Sequence, residues 1–189
     1  LNLLFLFFLG VALRMNTFTN PSIPFTNESD GWLYKKLMEF LSGPGKSFPS
    51  IFPILAYLLI YLQALVLNAY TNQRRVFPSL HLLTAFSVVF LSALVPEWGQ
   101  WSPLLLVNTI LIRVWPKLTD LDHSEKVMSD VFNAGFAVGI CSFIYFPAIF
   151  LYPLILLALL INRPFRFTEW FISLIGLALP FYFFFVFQY

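Results

Sequence analysis

The sequence predicts an all-α membrane protein: a single integral membrane domain over residues 1–189, built as a polytopic bundle of about seven transmembrane helices. Of the 189 residues, 59% are hydrophobic and 11% are charged, whereas soluble domains carry about 25% charged residues. Long apolar stretches alternate with short polar segments that hold nearly all the lysines and arginines. Only helices or closed barrels cross a bilayer with every backbone group bonded, so we predict that these stretches are helices.

The first apolar run covers residues 1–13 and ends at Arg14. It has the length of a signal-peptide core, but no basic leader precedes it and no small-residue cleavage site follows it. We therefore expect an incomplete first span, with part of the natural protein preceding it.

Residues 16–47 form the predicted outer loop, whose first half is rich in Asn, Thr, Ser and Pro and is expected to be irregular. Ser29 or Asp30 can cap a helix that runs to about Leu41, before the Ser-Gly-Pro-Gly segment at 42–45. Its leucines and phenylalanine recur at helical spacing, with the charged residues opposite. This pattern predicts an amphipathic helix lying on the outer membrane surface.

Prolines and polar clusters bound the later spans. These spans are predicted at residues 48–70, 79–95, 103–115, 130–145, 147–161 and 169–187. As one helix, residues 130–161 would run about 48 Å at 1.5 Å per residue, well beyond a bilayer core of about 30 Å. Two short spans hinged near Tyr145-Phe146-Pro147 fit this length better, and one steeply tilted, kinked helix is the alternative.

The basic residues predict the orientation through the positive-inside rule. With Arg74 and Arg75 in the cytoplasm, alternating spans place five more basic residues inside: Arg113, Lys117, Lys126, Arg163 and Arg166. The two short outer turns, around Glu97 and Phe146, contain no Lys or Arg. We therefore expect a cytoplasmic N-terminus and a periplasmic C-terminus.

Glu28 and Asp30 in the outer loop are candidate catalytic residues. A carboxylate held just above the outer leaflet can act as a base or a metal ligand toward a lipid-linked substrate. The alternative, which we favour from the sequence, is that both acids mark a helix N-terminus, where the helix dipole favours negative charge.

A second acidic cluster follows the 103–115 span. Asp120, Asp122, His123 and Glu125 offer oxygen and nitrogen ligands that can hold a divalent cation. The alternative, which we favour, is a solvated loop in which Ser124 or Asp122 caps the next helix.

Polar residues inside the spans have simpler interpretations. Gln63, Asn68 and Asn108 are expected to bond across helices, with a substrate path as the alternative. His81 can ligate haem or relay protons, but its place near the membrane interface favours a structural role. The single cysteine, Cys141, is expected to be a packing residue, and no cofactor is expected.

The segment DVFNAGFAVGICSFIYFPAIFLYPLILLALLI at 130–161, with the preceding LLLVNTILIRVWP, resembles an uncharacterised polytopic membrane-protein family of Bacteroidota. Members of that family often carry the name beta-carotene monooxygenase. Carotenoid cleavage enzymes are propellers with four iron-binding histidines, whereas this chain has two histidines. The resemblance implies a multi-pass protein of the bacterial inner membrane.

The first third of the chain also resembles, in layout, the membrane glycosyltransferases that use polyprenyl-phosphate sugars. Those enzymes carry an acidic residue and an amphipathic helix in their first outer loop, and Asp30 or Glu28 matches the acid. The resemblance implies a lipid-linked sugar substrate at the outer face.

The absence of a charged residue at mid-membrane favours a non-catalytic subunit or scaffold of a cell-envelope complex. A glycosyltransferase-like protein, or a degenerate relative of one, is the first alternative, and a small transporter is the second. The expected partners are the lipid bilayer and other membrane proteins, with polyprenyl lipid as a further candidate. No basic stretch is long enough to indicate nucleic-acid binding.

Overall fold

The structure, a computed structural model, describes residues 2–21, 24, 26–77, 81–121, 126–162 and 165–188. Within these ranges there is no β-strand, and extended residues pair only in an isolated bridge between Asp30 and Tyr145. The predicted all-α class is confirmed.

The helices follow one another along the chain with short connections. They are α1 (Leu3–Leu13), α2 (Met15–Thr19), α3 (Trp32–Ser47), α4 (Ile51–Gln73), α5 (Leu83–Leu94), α6 (Pro103–Thr119), α7 (Val127–Ile144), α8 (Tyr152–Asn162) and α9 (Phe167–Gln188). Two 3₁₀ segments, Pro96–Gly99 and Phe146–Leu151, lie before α6 and α8.

Three helices are long and apolar enough to cross a membrane: α4 with 23 residues, α7 with 18 and α9 with 22. The apolar helix α5 has 12 residues and, at 1.5 Å per residue, extends only about 18 Å. The apolar helix α1 is shorter still. The structure therefore supports a membrane protein with three candidate spans in its described part, and the count of about seven stays a prediction.

Helix α3 is longer than the sequence predicts. It continues through Pro44 to Ser47 instead of ending near Leu41. The Phe48 N–H donates to the Pro44 carbonyl at 2.8 Å, so the helical bonding continues after the proline. The end of α3 also packs closely on Phe52 of α4. A Cβ on Gly45 would lie 2.7 Å from the Phe52 ring, so this contact requires glycine. The predicted stop at the Ser-Gly-Pro-Gly segment was therefore wrong.

The apolar residues of α3 are divided between its buried and its exposed faces. Tyr34, Met38 and Leu41 are buried, whereas Leu33 and Phe40 are exposed. The helix is amphipathic, but apolar residues occupy both its buried face and part of its exposed face.

The break between α7 and α8 lies at the predicted hinge. Helix α7 ends at Ile144, and Tyr145 has extended dihedral angles (φ −143°, ψ 108°). Phe146 and Pro147 open the 3₁₀ segment that follows, and the proline lacks the N–H that would continue the hydrogen bonding of α7. The chain then continues as a 3₁₀ segment into α8.

The chain divides into two compact units. The first comprises residues 1–26 and 36–109, and its core contains Leu6, Ala64, Ala85 and Val89, from α1, α4 and α5. A Cβ at Gly10 of α1 would lie 2.8 Å from Val89, so glycine allows α1 to pack closely here.

The second unit comprises residues 27–35 and 110–189, and the pairing of α7 with α9 dominates it. Gly135 and Gly139 on α7 face backbone carbonyls of α9, those of Ser173 and Leu177. Gly176 of α9 approaches the backbone of α7 in return. Such small residues at four-residue spacing let two membrane helices approach closely.

Candidate functional site

Asp30 lies in a short extended segment of the second unit. The Gly31 N–H donates to the Ile144 carbonyl at 2.9 Å, and the Phe146 N–H donates to the Ser29 carbonyl at 3.3 Å. The extended backbone of Tyr145 makes this pairing possible, because it ends the hydrogen bonding of α7. The hinge therefore also holds the acidic segment in place.

Glycine at position 31 is required by the same pairing. A Cβ on Gly31 would clash with the backbone carbonyl of Phe143. The Gly31 carbonyl accepts the Lys35 N–H at 3.1 Å, which is the first hydrogen bond of α3. The helix thus begins from Gly31 rather than from a side-chain cap by Asp30.

The Asp30 carboxylate is almost completely buried, at 5% exposure. Its Oδ2 accepts the Asn27 N–H at 2.7 Å, while its Oδ1 is buried and has no hydrogen-bond partner. Most buried polar atoms in proteins are hydrogen-bonded, so a buried carboxylate oxygen without a hydrogen-bond partner requires an explanation. We call such a buried, unpartnered polar atom open.

Tyr34 adds a second open polar atom. Its side chain is 1% exposed, and its hydroxyl is buried without a hydrogen-bond partner. Burial raises the pKa of Tyr34 to about 12, and the negative charge of Asp30 contributes to the increase. The hydroxyl therefore keeps its proton at neutral pH and can donate it in a hydrogen bond.

Glu28 differs from Asp30 in its surroundings. It lies in the turn just before Asp30, and its side chain is exposed. Of the two candidate acids, only Asp30 is held in a buried setting.

The Asp30–Tyr34 pair can accept and donate hydrogen bonds at the same time. The open carboxylate oxygen of Asp30 can accept a proton or a hydrogen bond from a hydroxyl, and it can also bind a cation. The Tyr34 phenol can donate a hydrogen bond to an oxygen. Aromatic rings lie nearby in the second unit, where Trp32 packs on Phe184 at 5.4 Å between ring centroids. This chemistry suits a polyhydroxylated ligand.

The acidic cluster after α6 is only partly described. Asp120 lies half-buried just beyond the end of α6, while Asp122, His123 and Glu125 lie outside the described residues. In the described ranges, no three His, Cys, Asp or Glu side chains are grouped so that they could hold a metal ion. The candidate metal site and the solvated loop that we favour at these positions are therefore both untested.

The polar residues of α4 bond across helices in the first unit. The Gln63 Nε2 donates to the Leu105 carbonyl at 3.0 Å and to the Thr109 hydroxyl at 2.6 Å. The Asn108 amide donates to Gln63 Oε1 at 3.0 Å, and Asn68 Oδ1 accepts the Ala85 N–H at 3.3 Å. These bonds fit the interpretation of Gln63, Asn68 and Asn108 as helix contacts.

His81 lies just before α5, and its side chain is exposed. Its backbone carbonyl accepts the Asn72 side-chain amide at 3.0 Å, and its N–H donates to Asn72 Oδ1 at 3.4 Å. The Asn72 side chain thus joins the end of α4 to the start of α5.

Sequence reasoning missed Tyr34 and Arg14. Tyr34 follows Asp30 at a spacing of four, a weak signal that an acid and a phenol are neighbours. Arg14 directly follows the first apolar run, and nothing in that pattern indicates that the structure buries its side chain, at 4% exposure.

Comparison of the chain with protein-family models, curated proteins and solved structures gives no match.

Proposed function

We propose that the chain is an integral membrane protein that binds a lipid-linked sugar at the outer face of the membrane through Asp30 and Tyr34. In this role it is glycosyltransferase-like, as an active enzyme or as a degenerate relative that only binds. The observation that carries the proposal is the buried Asp30 carboxylate, whose open oxygen accompanies an open Tyr34 hydroxyl.

The chemistry follows from these two groups. A sugar presents hydroxyl groups that both donate and accept hydrogen bonds, and therefore satisfies Asp30 Oδ1 and the Tyr34 hydroxyl together. If transfer occurs, the carboxylate can take the proton of the acceptor hydroxyl that attacks the anomeric carbon of the sugar, while the bond from that carbon to the phosphate breaks and polyprenyl phosphate leaves. The lipid part of the substrate requires a membrane location, and α4, α7 and α9 are long and apolar enough to provide one.

The test is binding of a polyprenyl-phosphate sugar to the protein in lipid nanodiscs, measured by native mass spectrometry. Asp30→Asn keeps the size of the side chain but loses the charge, and should weaken binding by about tenfold or more, the cost of a lost charge-assisted hydrogen bond. Glu28→Gln makes the same chemical change at an exposed position and should bind like the wild type. Equal binding by Asp30→Asn and wild type would contradict the proposal.

A second candidate is a subunit of a cell-envelope complex, and the surface of α9 favours it. Only 11% of an apolar 18-residue stretch of α9 is buried. The exposed aromatic side chains of α9 are Phe167, Phe171, Tyr182, Phe183, Phe185 and Phe187. Such a surface fits lipid and also the helices of a membrane partner. Stoichiometric copurification of a membrane protein in mild detergent, together with unchanged sugar-lipid binding in Asp30→Asn, would favour this role.

A further inference from the structure

Helices α7 and α9 of the second unit run parallel. Gly135 of α7 faces the backbone carbonyl of Ser173 in α9. Two turns further along α7, the Phe143 ring packs on the Phe181 ring of α9, at 4.9 Å between centroids. Residue numbers therefore increase in the same direction along both helices. The chain that connects them must return from the end of α7 to the level of its start.

The returning segment is Phe146–Asn162, which consists of a 3₁₀ segment followed by α8. The Tyr152 hydroxyl shares a hydrogen bond of 2.9 Å with the hydroxyl of Ser173, which faces the middle of α7. Further along, Leu159 lies in the same buried cluster as Val127, the first residue of α7. The segment therefore runs back along the length of α7.

The length of this segment matches that of a bilayer core. Its 3₁₀ part has 6 residues, which rise about 2.0 Å each. Helix α8 has 11 residues, which rise about 1.5 Å each. Together they extend about 28 Å, whereas the hydrocarbon core of a bilayer is about 30 Å thick. The 3₁₀ geometry thus gives a short segment nearly the reach of a full span.

Much of the surface of this segment is apolar and exposed. Large apolar side chains are exposed along its whole length, at intervals of four residues or fewer: Phe146, Phe150, Leu154, Leu157, Leu160 and Ile161. The sequence contains no charged residue between positions 131 and 161. Soluble proteins rarely expose so continuous an apolar surface. Lipid acyl chains fit it, because the segment has the length of the bilayer core.

We infer that Phe146–Asn162 crosses the membrane, with its exposed apolar side chains in contact with lipid acyl chains. Helix α7, this segment and α9 then make three successive crossings. The starts of α7 and α9 lie on one side of the membrane, and their ends lie on the other. Because Asp30 pairs with Tyr145, just after the end of α7, the acidic segment lies on the same side as Gln188, the last residue of α9.

The basic residues of the second unit give the direction of these crossings. Lys126 directly precedes α7 and Arg166 directly precedes α9, and both side chains are exposed. Lys117 of α6 joins them, because its Nζ lies 3.6 Å from the Asp130 carboxylate in the first turn of α7. On the opposite side, Lys35 is the basic residue that the structure describes in this unit. The positive-inside rule therefore places the starts of α7 and α9 in the cytoplasm.

The first test is the sidedness of cysteines at the starts of α7 and α9. In a Cys141→Ala background, Met128→Cys and Thr168→Cys each introduce one thiol at an exposed position. A membrane-impermeant maleimide should label both only after spheroplasts are permeabilised. Gln188→Cys, at the other end of α9, is the matched control and should react in intact spheroplasts. Reaction of Met128→Cys and Thr168→Cys from opposite sides would overturn the crossing, and reaction of both from outside would overturn its direction.

The second test shows what covers the exposed side chains. A nitroxide label on Leu157→Cys, in the same Cys141→Ala background, is measured by paramagnetic resonance in liposomes that contain the purified chain. The label should be accessible to oxygen, which concentrates in lipid, and shielded from a nickel chelate, which stays in water. The same label on Thr168→Cys, at the membrane surface, should be accessible to the chelate.

Two results at Leu157→Cys would contradict contact with lipid. Accessibility to the nickel chelate would show that water covers this surface, and shielding from both probes would show that a second copy of the chain covers it. Neither test alters Asp30 or Tyr34, so failure of the crossing is distinguishable from failure of the proposed sugar-lipid binding.

Discussion

Asp30 and Arg14 are charged side chains that the fold buries while leaving some of their polar atoms open. Moving an ion from water into a protein costs several kcal/mol even after the protein relaxes. Hydrogen bonds from Asn27 and to Ser92 offset part of this cost. A ligand that completes the bonding of Asp30 would offset more of it, which links ligand binding to stability at this residue.

The ionisation of Tyr34 gives a prediction for the Asp30 site. Its pKa is raised to about 12, first by burial and then by the charge of Asp30. An acid with a raised pKa in the folded state contributes stability below its unfolded pKa of about 10, and that contribution is lost as the pH rises toward 12. We expect Asp30→Asn to lower the Tyr34 pKa, though not fully to 10, because the burial remains.

The measurement is a tyrosinate absorbance titration of the native protein, in which Tyr34→Phe identifies the contribution of Tyr34. A Tyr34 midpoint at about 10 in the wild type would show that the hydroxyl is solvated and that the site is not buried. An unchanged midpoint in Asp30→Asn would show that the carboxylate does not act on Tyr34.

At the scale of elements, the contact between α7 and α9 depends on glycines, which have no side chain. A Cβ on Gly135 would clash with the Ser173 carbonyl, and one on Gly139 would lie 2.7 Å from the Leu177 carbonyl. The backbones of the two helices are therefore closer than alanine permits. In a bilayer, close packing of this kind replaces the hydrophobic effect as the force between helices.

Gly135→Ala should therefore destabilise the protein by about 1–3 kcal/mol, since the helices must separate to accept the methyl group. Gly43→Ala is the matched control. A Cβ on Gly43, inside α3, would meet nothing within 4 Å, so the same change should stabilise by about 0.4–1 kcal/mol. Thermal unfolding in detergent compares the two variants. Equal midpoints would show that α7 and α9 are not in close contact.

The sequence predicts the elements better than it predicts the site. The hinge at Tyr145 could be predicted because the apolar stretch is too long for one span and contains Pro147. The end of α3 could not, because the helix continues through Pro44 to Ser47, where the local sequence predicts a stop. Asp30 was a candidate from its type and place. Its open oxygen and the open donors of Arg14 are consequences of burial, which no local pattern encodes.

At the scale of the whole molecule, hydropathy and helix length give different span counts. Hydropathy marks about seven apolar runs, while the described helices include three that are long enough to cross a bilayer. Short apolar helices such as α5 can meet lipid without crossing it, because about 20 residues are needed for a full crossing.

The predicted membrane orientation of the Asp30 segment also depends on whether α4 crosses the membrane. This 23-residue helix separates the Asp30 segment from the basic segment at Arg74 and Arg75. The positive-inside rule predicts that the Arg74 and Arg75 end of α4 is cytoplasmic, and the proposed function requires an outer location for Asp30.

The most direct test is cysteine labelling with a membrane-impermeant maleimide in bacterial spheroplasts that express the chain. The single native thiol is buried in α7 and is removed by Cys141→Ala. Glu28→Cys then reports on the Asp30 segment, and Val76→Cys, at another exposed position, reports on the far end of α4. We predict that Glu28→Cys reacts in intact spheroplasts and that Val76→Cys reacts only after permeabilisation. Reaction of both cysteines from the same side, or of Val76→Cys alone from outside, would contradict an outer-face site at Asp30.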